Sequence, residues 1–397
     1  MLKAPGAPTQ LARPARSAVY RGSEQLRIMH CLRAPVGGLF RHVLDLSSEQ
    51  AARGHAVGYI VDSTVADALT EDRLAHAEQH LQLGITRIPM GRLPGPKDLA
   101  TSRAISDVVA AMNVDVLHGH GAKGGAYARL AGRSLKRGGQ KTAVFYTPHG
   151  GSLHYNTRSP QGIIYLAVER FLARYTDGLI FESDFIRRVY DAKVGANAVP
   201  QRVIPNALQP DDFSPHAPNA NAADFLFIGE LRQLKGVDVL LEALAGIRAR
   251  QRDVRAVIVG GGPDAGTFKA KAERLGLAGA VTFPGAMPAR KAFALGRCLV
   301  VPSRAESMPY IVLEAAAAAM PLIATNVGGI PEIVDGSDTA LIAPGDVPVL
   351  KHAMTSFLDD PAAAKARAAR LRDAVSARFT VARAVDDVIA FYSEILR

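Results

Sequence analysis

Cysteine is almost missing from this chain: two residues, Cys31 and Cys298, in 397. Two cysteines cannot build a disulfide framework. Each sits in an apolar, strand-like run, so both read as core thiols in a reducing cytoplasm. Long hydrophobic runs are missing too, and no stretch approaches the ~18–20 apolar residues of a membrane-spanning helix. The opening "MLKAPGAPTQLARPARSAVYRG", residues 1–22, lacks acids and the apolar h-region of a secretory signal. It resembles a disordered tail or a weak targeting segment and is left out of the fold. Acids are scarcer than bases, 37 against 47, which leaves a net charge of +10. That excess favours nucleotide phosphates or an anionic membrane surface, and it equally describes a basic solvated surface with no specific partner. No run interleaves basic residues with aromatics as a single-strand-binding groove does, so no nucleic acid is expected.

What is present suits a large globular protein, with 48% apolar and 21% charged residues. The length exceeds one ordinary core, so two domains are the natural expectation. Strand-like runs alternate with helical patterns: 24–32, 54–61, 114–120, 141–150, 177–183 and 202–208, with helices near 41–53 and 160–175. "NALQPDDFSPHAPNANAAD" (206–224) is rich in Pro, Asn and Asp and reads as a linker. The alternation then restarts through 225–230, 255–263, 280–285, 297–303, 321–326 and 340–345. Both halves therefore predict doubly wound parallel sheets of the Rossmann-like α/β class, facing across a cleft. The expected organisation is an N-terminal domain over 23–205, the linker, a C-terminal domain over 225–379, and a last helix, 380–397, packing back on the N-terminal domain.

In such sheets ligands sit at the carboxyl ends of strands, and the chemistry-bearing residues gather there. "AESMPYIVLEAAAA" (305–318) puts Glu306 at a strand end and Glu314 about one and a half turns into the following helix. A helix carboxylate there can accept two vicinal hydroxyls, and the loop carboxylate reaches further out. A plain ion-paired surface is the competing reading. The free N–H groups of residues 308–311 suit anionic oxygen. "GELRQLKGVD" (229–238) places Arg232 and Lys235 in a strand-to-helix turn, where cations can hold a diphosphate. Gly37 and Gly38 end the first strand and would let backbone N–H groups approach a phosphate or sugar. "GGGPDAG" (260–266) lacks the acidic residue of a dinucleotide site, so a structural or base-contacting turn fits better. His118 and His120 end one strand, His149 ends the next, and His154 follows. Cys or acidic companions at metal spacing are missing, so no metal is expected.

Taken together, these motifs resemble family 4 of the retaining glycosyltransferases with the GT-B fold, over roughly residues 25–397. The carriers are "ESMPYIVLEAAAAAMPLIATNVGGIPEIV", "IGELRQLKGVDVLLEAL", "RVIPNALQPDDF", "VGGLFRHVLDLSSEQAARGH" and "DVLHGH". The resemblance implies that Glu306 binds donor-sugar hydroxyls, Glu314 the ribose, and Arg232 and Lys235 the diphosphate. Gly37, Gly38, Gly229, Met308, Pro309 and Tyr310 would complete the donor site. His120 would touch the sugar near the reacting carbon, and His149 and His154 would face the acceptor. The chain departs from the family pattern at Glu230, where Arg is frequent, in the glycine-free "ESMPY", at Ala319, and in "PNA" for "PNG". These departures leave the donor sugar open.

The implied activity is metal-independent, cofactor-free transfer from a UDP- or GDP-sugar to a saccharide or lipid-linked saccharide, in polysaccharide, lipopolysaccharide or glycolipid synthesis. The expected setting is cytoplasmic, peripheral on the inner membrane if the basic charge serves that purpose. A GT-B nucleotide-sugar 2-epimerase and a non-catalytic nucleotide-sugar-binding protein are the alternatives.

Overall fold

The computed structural model describes residues 25–64, 68–91, 95–195, 198–215 and 217–397. The N-terminal segment 1–22 lies outside them. Seven strands form a first, all-parallel sheet: β1 (Arg27–Leu32), β2 (Ala56–Asp62), β3 (Gly84–Ile88), β4 (Val116–His120), β5 (Ala143–Thr147), β6 (Gly178–Phe181) and β7 (Gln201–Val203), in the order β3-β2-β1-β4-β5-β6-β7. Six more form a second parallel sheet: β8 (Ala223–Ile228), β9 (Ala256–Val259), β10 (Val281–Gly285), β11 (Gly296–Val301), β12 (Leu322–Thr325) and β13 (Leu341–Ile342), ordered β10-β9-β8-β11-β12-β13. Helices cover both faces. That burial is why the central strands read as continuous apolar runs rather than alternating ones. The order reverses between β1 and β4 in one sheet and between β8 and β11 in the other. Each reversal opens a crevice at the strand ends.

Several elements differ from the sequence expectation. The helix after β1 spans Gly37–Ala52, so the paired glycines form its first turn instead of a loop before it. β7 stops at Val203 and the chain leaves the sheet before Pro205, which lacks the N–H a ladder needs. β3 and the helix Pro361–Ser376 were not anticipated. The first is a half-exposed edge strand, and the second buries only Ala364, Ala368, Leu371 and Val375.

After the second sheet the chain returns to the first. Leu208 and Thr380 bridge in parallel, with Leu208 N–H donating to Phe379 O (2.9 Å) and Val381 N–H to Leu208 O (3.1 Å). The helix Val381–Leu396 then lies beside Gly37–Ala52. Phe391 and Tyr392 fill the core under β4 and β5, with their rings 5.4 and 4.6 Å from that of Phe145. Removing so large a buried ring leaves a cavity, so Phe391→Ala should cost about 3–5 kcal/mol. An earlier urea transition would show it, and an unchanged curve would contradict this docking.

Candidate active site

At the second sheet's reversal two loops meet, one from β8 and one from β11. Gly236 closes the β8 loop at φ +69°, and a Cβ there would lie 1.9 Å from Pro302 O. Only glycine permits that approach, and it brings Lys235 against the β11 loop. Lys235 Nζ lies 2.7 and 2.8 Å from the two oxygens of Glu306, and Ser303 Oγ donates to Oε1 at 2.7 Å. Glu306 is only 8% exposed, so its charge depends on these partners. The loop is pinned from below: Thr325 Oγ1 donates to Ser303 O (2.7 Å), and a Cβ on Gly328 would meet Glu306 O at 2.1 Å. This close packing gives the glycine pair of "GGIPE" a structural reason.

The "GGG" turn is structural as well. A Cβ on Gly260 would reach 1.8 Å from Gly229 O, and Leu231 N–H donates to Gly261 O (2.8 Å). Gly229 spends its own N–H on Val259 O (3.0 Å), so that group is not free for a phosphate. Arg232 is half exposed and 3.5 Å from Glu230.

Four sets of contacts join the halves of the protein here. Glu314, on the helix Tyr310–Ala317, pairs with Arg41, which also pairs with Asp212 and, at 3.3 Å, Asp45. Arg41 lies over the Tyr310 ring (4.9 Å), and Gly38 abuts the same ring. Asn206 Nδ2 donates to Met308 O (2.8 Å), beside Pro309 at the helix start. Glu332 accepts from the backbone N–H groups of Asp184 (2.9 Å) and Phe185 (2.8 Å). That carboxylate adds favourable charge to the N-terminus of helix Asp184–Lys193.

The first half of the protein carries a group of histidines, four buried and one, His149, partly buried. With the Gln50 carbonyl oxygen accepting from His30 Nε2 (2.8 Å), His30 Nδ1 accepts from His120 Nε2 (2.9 Å) and His120 Nδ1 accepts from His149 Nε2 (3.2 Å). His118 binds Tyr392 and Thr147 at 2.6 and 2.8 Å. Burial lowers His30 and His42 to about 4 and pushes His118, His120 and His149 well below the ordinary value. All five are neutral near pH 7. His149 takes φ +51°, a left-handed backbone, and His154 closes the short turn Gly151–His154. Two trios, His30/His118/His120 and His42/His120/His149, have nitrogens within 4.8 Å of one another. A metal there would displace the hydrogen bonds just described.

Arg41, Asp212, Glu182 and Glu332 escaped the sequence reading as site residues. Arg41 and Glu332 sat inside quoted motifs, but nothing local pairs them with groups in the other half. Glu182 did leave a signal, a carboxylate closing the apolar run "DGLIFES". It is 2% exposed, and neither oxygen has a hydrogen-bond partner among the described residues. Burial raises its pKa to about 7; the backbone amides of Glu182 and His149, near the carboxylate but outside hydrogen-bonding geometry, moderate the shift, and nearby Glu332 adds to it.

Comparisons with known proteins place the chain in a family. Residues 36–212 match the model described as Glycosyltransferase Family 4, and residues 222–360 match Glycosyl transferases group 1. A Mycobacterium tuberculosis (strain CDC 1551 / Oshkosh) GDP-mannose-dependent alpha-(1-6)-phosphatidylinositol monomannoside mannosyltransferase is 31% identical over 64% of this chain and 68% of its own. EpsD of Bacillus subtilis (strain 168) is 29% identical over 81% of this chain and 87% of that one. Among solved structures, Anabaena HepE in complex with UDP-glucose superposes with a TM-score of 0.76 at 19% identity, over 93% of this chain and all of that one. The fold is of GT-B architecture. The chain belongs to family 4 of the glycosyltransferases, the glycosyl transferases group 1.

The raised Glu182 pKa has a stability consequence. The native state holds this proton more tightly than the unfolded chain, so the group costs nothing below about pH 4.5. Its cost builds as pH rises from about 4.5 and is complete above about 7, at up to about 3 kcal/mol. Glu182→Gln should therefore match the wild type in thermal midpoint at pH 4.5 and exceed it at pH 8. A difference independent of pH would contradict the assignment.

Proposed function

We propose that this glycosyltransferase is a retaining enzyme that moves a sugar from a UDP- or GDP-sugar to a hydroxyl of a saccharide or lipid-linked saccharide. The observation that carries the reading is the Lys235–Glu306–Ser303 arrangement at the second sheet's reversal. Support for the nucleotide comes from HepE, solved with UDP-glucose, and from the GDP-mannose-dependent relative.

In this reading Glu306 accepts hydrogen bonds from donor-sugar hydroxyls, and Glu314 exchanges Arg41 for the ribose diol. Lys235, with Arg232 and the helix-end N–H groups near Tyr310, holds the diphosphate. The C1–O bond to phosphate breaks as the acceptor oxygen bonds C1 from the same face. The acceptor proton passes to the departing phosphate oxygen, and the cations stabilise the charge that develops there. His120 would have to give up its bond to His30 or to His149 to touch the sugar, and as a neutral ring it sets no positive charge beside an oxocarbenium-like carbon. With cations already in place a metal is dispensable, and peripheral attachment to an anionic inner membrane belongs to the same reading.

Glu306→Ala and Lys235→Ala are each expected to cut transfer about a thousandfold while far-UV circular dichroism stays unchanged, and EDTA is expected to leave the wild-type rate intact. Near-wild-type transfer by either variant would refute the assignment. Free or isomerised sugar in place of a glycoside would favour hydrolysis or epimerisation.

A further inference from the structure

Eight large apolar side chains are notably exposed among the described residues, and five of them lie within residues 155–171: Tyr155 (39%), Ile163 (56%), Ile164 (59%), Val168 (42%) and Phe171 (41%). Four belong to the helix Pro160–Ala173, which turns Gly162, Leu166, Glu169, Leu172 and Ala173 inward. At 100° per residue, Ile163, Ile164, Ala167, Val168 and Phe171 fall within an arc of about 140° on the outer side. This helix has two apolar sides, and only one of them has a partner.

The charge that the helix itself and its flanks carry on the outer side is of one sign. Arg158, Arg170 and Arg174 are exposed, with Arg174 over the Phe171 ring at 6.0 Å. The helix has one acid, Glu169, and it is turned inward and neutralised: Arg129 Nη1 lies 2.8 Å from one oxygen, and Ser152 Oγ donates to the other at 2.8 Å. Tyr155, ring-paired with Tyr165 at 4.8 Å, extends the patch. An apolar stripe edged by arginines, with no exposed acid on the helix, matches an interface whose interior is hydrocarbon and whose rim is anionic.

We propose that the outer face of helix Pro160–Ala173 docks this protein on an anionic lipid bilayer, with Ile163, Ile164, Val168 and Phe171 entering the headgroup–acyl boundary and Arg158, Arg170 and Arg174 against lipid phosphates. The proposal rests on the peripheral-membrane part of the reading above and assigns it a surface. The helix follows the loop that carries His149, so a docked bilayer would lie on the side of the domain that this loop serves. A lipid-linked acceptor could then reach the cleft without leaving the membrane.

The test is flotation of the full chain with vesicles of phosphatidylcholine mixed with phosphatidylglycerol, compared with pure phosphatidylcholine. Wild type should float with the mixed vesicles, less so in high salt. The variant Ile163→Ser/Ile164→Ser/Phe171→Ser should lose about tenfold or more of that partition, and Arg170→Gln/Arg174→Gln should lose its salt-sensitive part. The three apolar side chains are already exposed, so an unchanged thermal midpoint of the serine variant is expected and confirms folding. Arg170 also donates to Val194 O and Lys193 O, so the arginine variant is read at a temperature where its own midpoint shows it folded. Equal flotation of the triple serine variant, or no flotation of the wild type, would overturn the proposal. So would a wild-type dimer that the serines dissociate, because the face would then belong to a second copy. UDP-glucose and GDP-mannose binding, measured in parallel, should be unaffected by the serines. Failure of the membrane assignment and failure of the glycosyltransferase reading are thereby told apart.

Discussion

The pairing of Lys235 with Glu306 ties together the loops that leave β8 and β11, at the one place where the second sheet reverses direction. A carboxylate this buried is tolerable only with a cation and a hydroxyl upon it, and the surroundings are shaped to supply both. Gly236 lets the Lys235 turn reach Pro302, Gly328 lets the following loop pass beneath Glu306, and Thr325 fixes the carbonyl of Ser303. The glycines of these motifs are thus the means by which two loops approach closely enough to share one ion pair. Their conformations fix the position of the carboxylate before any ligand arrives. Such preorganisation is what a site for a charged transition state requires.

The same economy of charge runs between the domains. Arg41 gathers Glu314, Asp212 and Asp45, while Glu332 reaches across to the amides that begin helix Asp184–Lys193. Each contact satisfies a group that would otherwise be buried without a partner. The imidazoles of the first half are a contrast, a hydrogen-bonded chain kept neutral by burial.

Much of this was legible in the sequence, for identifiable reasons. Parallel strands buried on both faces appear as unbroken apolar runs, so β1, β4, β5, β8 and β11 were readable, and the two α/β halves followed. Glu306, Lys235 and His120 stand at strand ends or in adjoining turns and Glu314 in the helix that follows, and the order of the motifs around them is what marks them. β3 was invisible because an edge strand buried on one side has no such run, and the Ala- and Arg-rich helix Pro361–Ser376 shows little apolar stripe. The partnership of Arg41 with Glu314 spans 273 positions, and no local pattern encodes it. Glu182 was readable as a carboxyl at a strand end, but its burial without a partner is a property of the folded molecule only.

Calorimetric titration of the nucleotide diphosphate site tests the central claim most directly. UDP, GDP and their glucose and mannose conjugates would be titrated into wild type, Lys235→Ala, Glu314→Gln and Glu306→Gln. One nucleotide should bind the wild type, and its affinity should fall about tenfold or more in Lys235→Ala and Glu314→Gln. Glu306→Gln should keep the free nucleotide and lose the preference for its sugar conjugate. Unchanged binding of that nucleotide in Lys235→Ala and Glu314→Gln would contradict the account, because the two loops would then not form the donor site.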